Sequence, residues 1–190
     1  METELCQLAR KYKTDKCHEF GHFYTPVYYE LLKDRKHTIK KVLEIGVGSP
    51  EVMHWLQDYK AGASLKMWRD FFPNAQIYGV DIAPTAMFKD DRITTFLLDS
   101  RKSKNMRWLI NEIGADIDLV IDDGCHRTNS QLRTVRNIKP LVKKDAIYII
   151  EDSKNPYYIK DLLKEYNCEI FEPEEKYRHK QNNLILVKNV

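Results

Sequence analysis

At 190 residues, with 43% apolar and 31% charged side chains, the chain has the size and composition of one globular domain rather than a disordered segment. Its 31 basic and 28 acidic groups leave a net charge of +3, too even a balance for a nucleic-acid footprint. No run approaches a membrane span or a signal-peptide core, and Cys6, Cys17, Cys125 and Cys168 form no Cys-x-x-Cys pair, so the expectation is a reducing, cytoplasmic setting without zinc or disulfides. The basic clusters at 33–41 and 139–144 read as solvated helix ends or loops.

Leu5, Leu8, Ala9 and Tyr12 recur at helical spacing behind Thr3, a plausible cap. Residues 13–22 have no period and read as a loop. Thr25-Pro26 predicts a helix start, with Val27, Tyr28, Leu31 and Leu32 as its apolar face. These two helices are expected to form a lid or side wall, residues 1–36, on a core spanning 37–190. Strands follow at 42–45, 77–80 and 93–98. Helices start near Gly62 (Leu65, Trp68, Phe71 and Phe72 inward) and Ser103 (Met106, Leu109, Ile110 and Ile113 inward). Leu119-Val-Ile121 is a short apolar run, the mark of a strand buried on both faces. Thr128 and Gln131 suggest a capping box for the next helix. Residues 146–150 form another strand, and Asn155-Pro156 opens a helix carrying Ile159, Leu162, Leu163 and Tyr166. Residues 168–171 and 183–187 are too close for a helical crossover and predict an antiparallel edge hairpin. The alternation predicts a single α/β domain: a mostly parallel, seven-stranded Rossmann-like sheet with helices on both faces.

The strand ends carry the chemistry. In open α/β sheets, ligands bind beyond the carboxyl ends of the strands. There the sequence places Asp122, Asp123 and His126 after one strand and Glu151 and Asp152 after another. Acids from two strands suggest a site for a hard cation. Either of Asp122 and Asp123 taken alone reads better as a turn cap. Cys125 suits packing better than nucleophilic work. Glu44-Ile-Gly46-Val-Gly48 ends the first strand, Asp81 the next, where it can reach a ribose, and Asp99 the third, where it can meet an adenine amine. Ser49-Pro-Glu51 stands where a dinucleotide fingerprint needs its third glycine, and an acid before the glycines disfavours phosphate. A cationic sulfonium fits better, which points to S-adenosyl-L-methionine.

The blocks Leu43–Ser49, Gly62–Ile82, Ile121–His126 and Ile150–Asp152, with Thr14-Asp-Lys16 and His22–Thr25, resemble class I methyltransferases of the macrocin and mycinamicin type. These are metal-dependent sugar O-methyltransferases, some labelled cephalosporin hydroxylases. The resemblance implies that Asp123, Glu151 and Asp152 hold Mg²⁺ or Mn²⁺ and that His126 and Asp123 are catalytic. It also implies cofactor contacts from Glu44, Gly46, Gly48, Ser64, Asp81, Ile82, Asp99, Ser100 and Asp122, with Lys16, His22 and Tyr24 at the methionine or acceptor end. The implied acceptor is a deoxyhexose hydroxyl such as that of rhamnose, on a small molecule or glycan. A catechol-like O-methyltransferase and a non-catalytic cofactor-binding module are the competing readings. Neither nucleic acid nor membrane is an expected partner, and a homo-oligomer is allowed.

Overall fold

The computed structural model describes residues 2–172 and 182–189. One sheet runs through the protein in the order β3 (Lys89–Asp90), β4 (Ile93–Leu97), β2 (Gln76–Asp81), β1 (Lys41–Ile45), β5 (Leu119–Asp122), β6 (Ile147–Glu151), β8 (Leu184–Asn189), β7 (Tyr166–Phe171). The five strands β4, β2, β1, β5 and β6 are mutually parallel; β8 runs antiparallel to both β6 and β7. The expected hairpin strands thus pair, with β8 inserted next to the parallel block. An eighth strand, the two-residue β3, joins the far edge; it is too short to leave a periodic signal.

Alternation along each central strand serves both faces, because successive side chains point to opposite sides. Val42, Leu119, Ile121 and Ile149 meet the first layer, made by α1 (Glu4–Tyr12), α2 (Thr25–Leu32) and α3 (Ala63–Phe71). Leu43, Val120, Tyr148 and Ile150 meet the second, made by α4 (Ser103–Ile113), α5 (Thr128–Ile138) and α6 (Pro156–Leu162). Leu5, Ala9, Tyr28 and Leu32 are wholly buried, with Trp68 and Phe71 of α3 in the same cluster. The two amino-terminal helices are therefore a side wall, continuous with the core, and only the loop joining them reaches the crevice.

Local signals hold unevenly. Thr3 caps α1 by accepting from the Cys6 amide at 3.2 Å. Thr25 is the first residue of α2 rather than its cap. The Thr128–Gln131 box does not form: Arg127 is the cap residue of α5, and Gln131 Nε2 donates instead to the Glu151 carbonyl at 2.8 Å. Tyr166 opens β7 rather than closing a helix. Lys139 is buried and donates to the Ala146 carbonyl at 3.0 Å, so that basic cluster is only partly solvated. Among the described residues no helix is long and apolar enough to cross a membrane.

Candidate active site

Strand order reverses between β1 and β5, and at such a switch point the connections leave in opposite directions and open a crevice. Two turns meet there. Gly46 follows β1 with φ +91°, and a Cβ on it would fall 2.0 Å from the Asp123 carbonyl oxygen, so only glycine lets the turns touch. The Asp123 amide donates to the Ile45 carbonyl at 2.8 Å, locking the second turn to the end of β1.

A cavity of about 470 Å³ runs from the glycine turn to the acids after β5 and β6. That volume suits a nucleoside-sized ligand. Asp81 stands on its wall; one carboxylate oxygen accepts from the Val47 and Gly48 amides at 2.9 and 3.2 Å, the other from the Ala83 amide at 2.9 Å. It shapes the turn and keeps lone pairs for hydroxyl groups. Asp99 also lines the cavity, but Arg101 grips it through Nε at 2.8 Å and Nη2 at 3.0 Å and holds its carboxyl below the usual range. Gly48, Ser64, Ile82 and Ser100 reach the same wall. Glu44 and Asp122 do not. Glu44 is fully buried behind the turn, accepting from Trp68 Nε1 at 2.8 Å, and burial lifts its carboxyl to about 7 against the opposing charge of Lys16. Asp122 is buried beside the Tyr148 hydroxyl at 3.4 Å, and burial likewise lifts it to about 7.

At the acidic end, one ligand atom each from Asp123, His126 and Asp152 lie within 4.8 Å of one another. His126 Nε2 stands 3.2 Å from Asp123 and 3.9 Å from Asp152. Burial alone would lower the imidazole, but the hydrogen bond and charge of Asp123, with the charges of Asp152 and Asp122, raise it to about 9. Burial and the neighbouring Asp123 raise Asp152 to about 6. Burial pushes Asp123 the same way, yet Lys16 and His126 hold its carboxyl well below the ordinary range. His22 Nε2 lies 3.3 Å from the same Asp152 oxygen that His126 approaches, while its buried Nδ1 has no hydrogen-bond partner on the cavity wall. The Tyr24 hydroxyl donates to Asp152, so Tyr24 aims an acid rather than lining the cavity. Asp152 sits at φ +54°, uncommon for a residue with a Cβ, and its amide donates to the Asn183 carbonyl at 3.2 Å.

Glu151 is not brought into this trio. Its carboxylate lies in the core, accepting from Lys16 Nζ at 2.7 Å and from the Tyr28 hydroxyl. Lys16, 1% exposed, also reaches Asp123 at 2.8 Å and Glu44 at 3.4 Å. One ammonium thus stands among three carboxylates. Burial opposes its charge, but those acids keep it protonated. Lys16 is a buried strut behind the acids, off the cavity surface. Its partners come from β1, β5 and β6, which no local pattern in the loop 13–22 announces.

The two carboxylates, Asp123 and Asp152, just after adjacent strands, are oxygen donors of the kind Mg²⁺ or Mn²⁺ accepts. Protonated His126 lies against the same oxygens that would face such an ion.

No family model matches the chain. Over 154 residues it is 34% identical to the 8-demethyl-8-(2-methoxy-alpha-L-rhamnosyl)-tetracenomycin-C 3'-O-methyltransferase of Streptomyces olivaceus, covering 81% of this chain and 38% of that protein. It is 35% identical over 156 residues to the mycinamicin VI 2''-O-methyltransferase of Micromonospora griseorubida, covering 82% and 37%. In structure it matches the MycE methyltransferase of mycinamycin biosynthesis, solved with Mg, SAH and mycinamycin VI, at a TM-score of 0.78 and 26% identity, over 99% of this chain and 55% of that one. The chain thus spans less than two fifths of these curated relatives.

Proposed function

We propose, from the premise that this chain has the class I methyltransferase fold and is related to the macrocin- and mycinamicin-type sugar O-methyltransferases, that it moves a methyl group from S-adenosyl-L-methionine to a sugar hydroxyl. The acceptor is a deoxyhexose of the rhamnose kind. One observation carries the reading: Asp123, His126 and Asp152 converge on the wall of the same cavity that the glycine turn and Asp81 line.

The glycine turn admits the adenosyl group close to the backbone, and Asp81 accepts from its ribose. His22 and Asp152 face the methionine and acceptor end. Asp123 and Asp152 would hold the divalent ion, which when bound orients the acceptor hydroxyl and lowers its pKa. Glu151 would enter that ligand set only by leaving Lys16. An alcohol is a weak nucleophile until its proton has somewhere to go, and His126 Nε2 is the acceptor within reach. As the structure stands, its two acidic neighbours keep it protonated. With their charge compensated, it loses that pull and returns toward the range of a base at neutral pH.

The test is incubation with methyl-labelled S-adenosylmethionine and a panel of rhamnosides, other deoxyhexosides and catechols, with Mg²⁺ and with chelator. Label should appear on a sugar only when the metal is present. Label on phenols alone, or transfer undiminished by chelator, overturns the reading.

A further inference from the structure

We infer that a second subsite beside the methyl-transfer cavity binds phosphate, and that the acceptor sugar arrives as a phosphate or diphosphate ester. This rests on the sugar reading above and narrows it. A cavity of about 760 Å³ adjoins the first and shares Asp99 and Arg101 with it as a common wall. Arg101, Lys102, Arg127 and Arg133 all line it. They come from separate places: the turn before α4, the turn after β5, and α5 itself.

Among its described lining residues the one carboxylate is Asp99, which is already held by Arg101 through two guanidinium nitrogens and the backbone amide. No described carboxylate lies within ion-pair distance of Lys102, Arg127 or Arg133. Several like charges facing one space repel, and a compact anion of two or more charges removes that repulsion. Guanidinium forks match phosphate oxygens in geometry as well as charge. The cations are confined to one cavity on a chain of net charge +3, which suits a discrete phosphate and not a nucleic-acid strand.

Position ties this cavity to the reaction. Arg127 directly follows His126, so the turn after β5 contributes His126 to the first cavity and Arg127 to the second. Tyr158, 56% exposed, stands on the outer wall and offers an aromatic face to a sugar or a base.

The test begins with calorimetric titration of the cofactor-loaded protein with inorganic pyrophosphate. The wild type should bind, and the double variant Arg127→Ala/Arg133→Ala should bind at least about tenfold more weakly. Lys144→Ala, outside the cavity, should match the wild type. Both variants should keep the wild-type cofactor affinity, which shows that they fold. Labelled methyl transfer is then compared for rhamnose 1-phosphate, a nucleoside-diphosphate rhamnose and methyl rhamnoside. The phosphorylated acceptors should show the higher kcat/KM, through KM, and the double variant should erase that preference. A further gain for the nucleotide sugar identifies a nucleotide carrier; equality with the 1-phosphate identifies the phosphate alone. The inference is overturned if pyrophosphate fails to bind, binds both proteins equally, or competes with the cofactor instead of the sugar. Transfer to the phosphorylated sugars that ignores the arginine changes sinks the subsite alone, whereas pyrophosphate binding without transfer to any sugar sinks the sugar reading and its ester.

Discussion

Two ends of the sheet treat their acids in opposite ways. Asp118 stands just before β5, at the end away from the cavity, and is almost fully satisfied: the Lys40 and Lys41 amides donate to one oxygen at 2.7 and 3.0 Å, and Lys143 pairs with the other. Burial works against its charge, but these partners hold its carboxyl below the usual range. At the other end of the same strand, burial lifts Asp122 to about 7 and lifts Glu151 too, with Asp123 pushing Glu151 the same way. One end uses charge to fix the chain. The other concentrates more negative charge than its own lysine can balance, and such concentrations mark functional sites more often than structural ones.

Substitutions can break this contrast. The largest effect should come from Asp123→Asn: methyl transfer falling by about a thousandfold or more, since it removes a member of the trio and a partner of His126. Thermal unfolding should show the protein still folded; activity within tenfold of the wild type would refute the role given to Asp123. Lys16→Met should cost about 3–5 kcal/mol of stability in urea unfolding, because buried acids lose their shared cation. A cost below about 1 kcal/mol would mean that Lys16 is no strut. His126→Gln should lower kcat by about a hundredfold or more while leaving cofactor affinity unchanged. Asp118→Asn sharpens the other side: a loss of about 1–3 kcal/mol with wild-type activity in the folded protein.

That last loss has a pH signature. Asp118 is depressed in the fold, so its contribution is complete above its unfolded pKa of about 4 and fades as pH falls through the folded value. The wild-type and Asp118→Asn unfolding curves should therefore converge in acid and stay apart at neutral pH. Curves that diverge in acid would reverse the assignment.

The legible parts of the fold were those written in local pattern. The apolar runs of β1, β5 and β6, the helical spacing in α3, α4 and α5, and the acids at strand ends all depend on residues a few positions apart. What the sequence hid depends on distance along the chain. Glu151 follows an apolar strand as a rim ligand should, yet its side chain turns inward to Lys16 and Tyr28, far away in sequence. Thr128 and Gln131 have the spacing of a cap, but the Glu151 carbonyl gives Gln131 another partner. Lys102, Arg127 and Arg133 were invisible as a group because no two of them share a local motif. His22 came into view through the family resemblance alone, and only the fold shows its contact with Asp152.

The place of β8 has a consequence for how the protein is made. The Asn183 carbonyl receives the Asp152 amide, the Asn183 side chain donates to the Ser153 carbonyl at 2.8 Å, and the strand that follows closes against β6. A nascent chain that has already emerged past Asp152 therefore owns every residue of the acidic trio without owning the trio. The trio's geometry at Asp152 is thus held partly by residues 183–187, some thirty positions further along the chain.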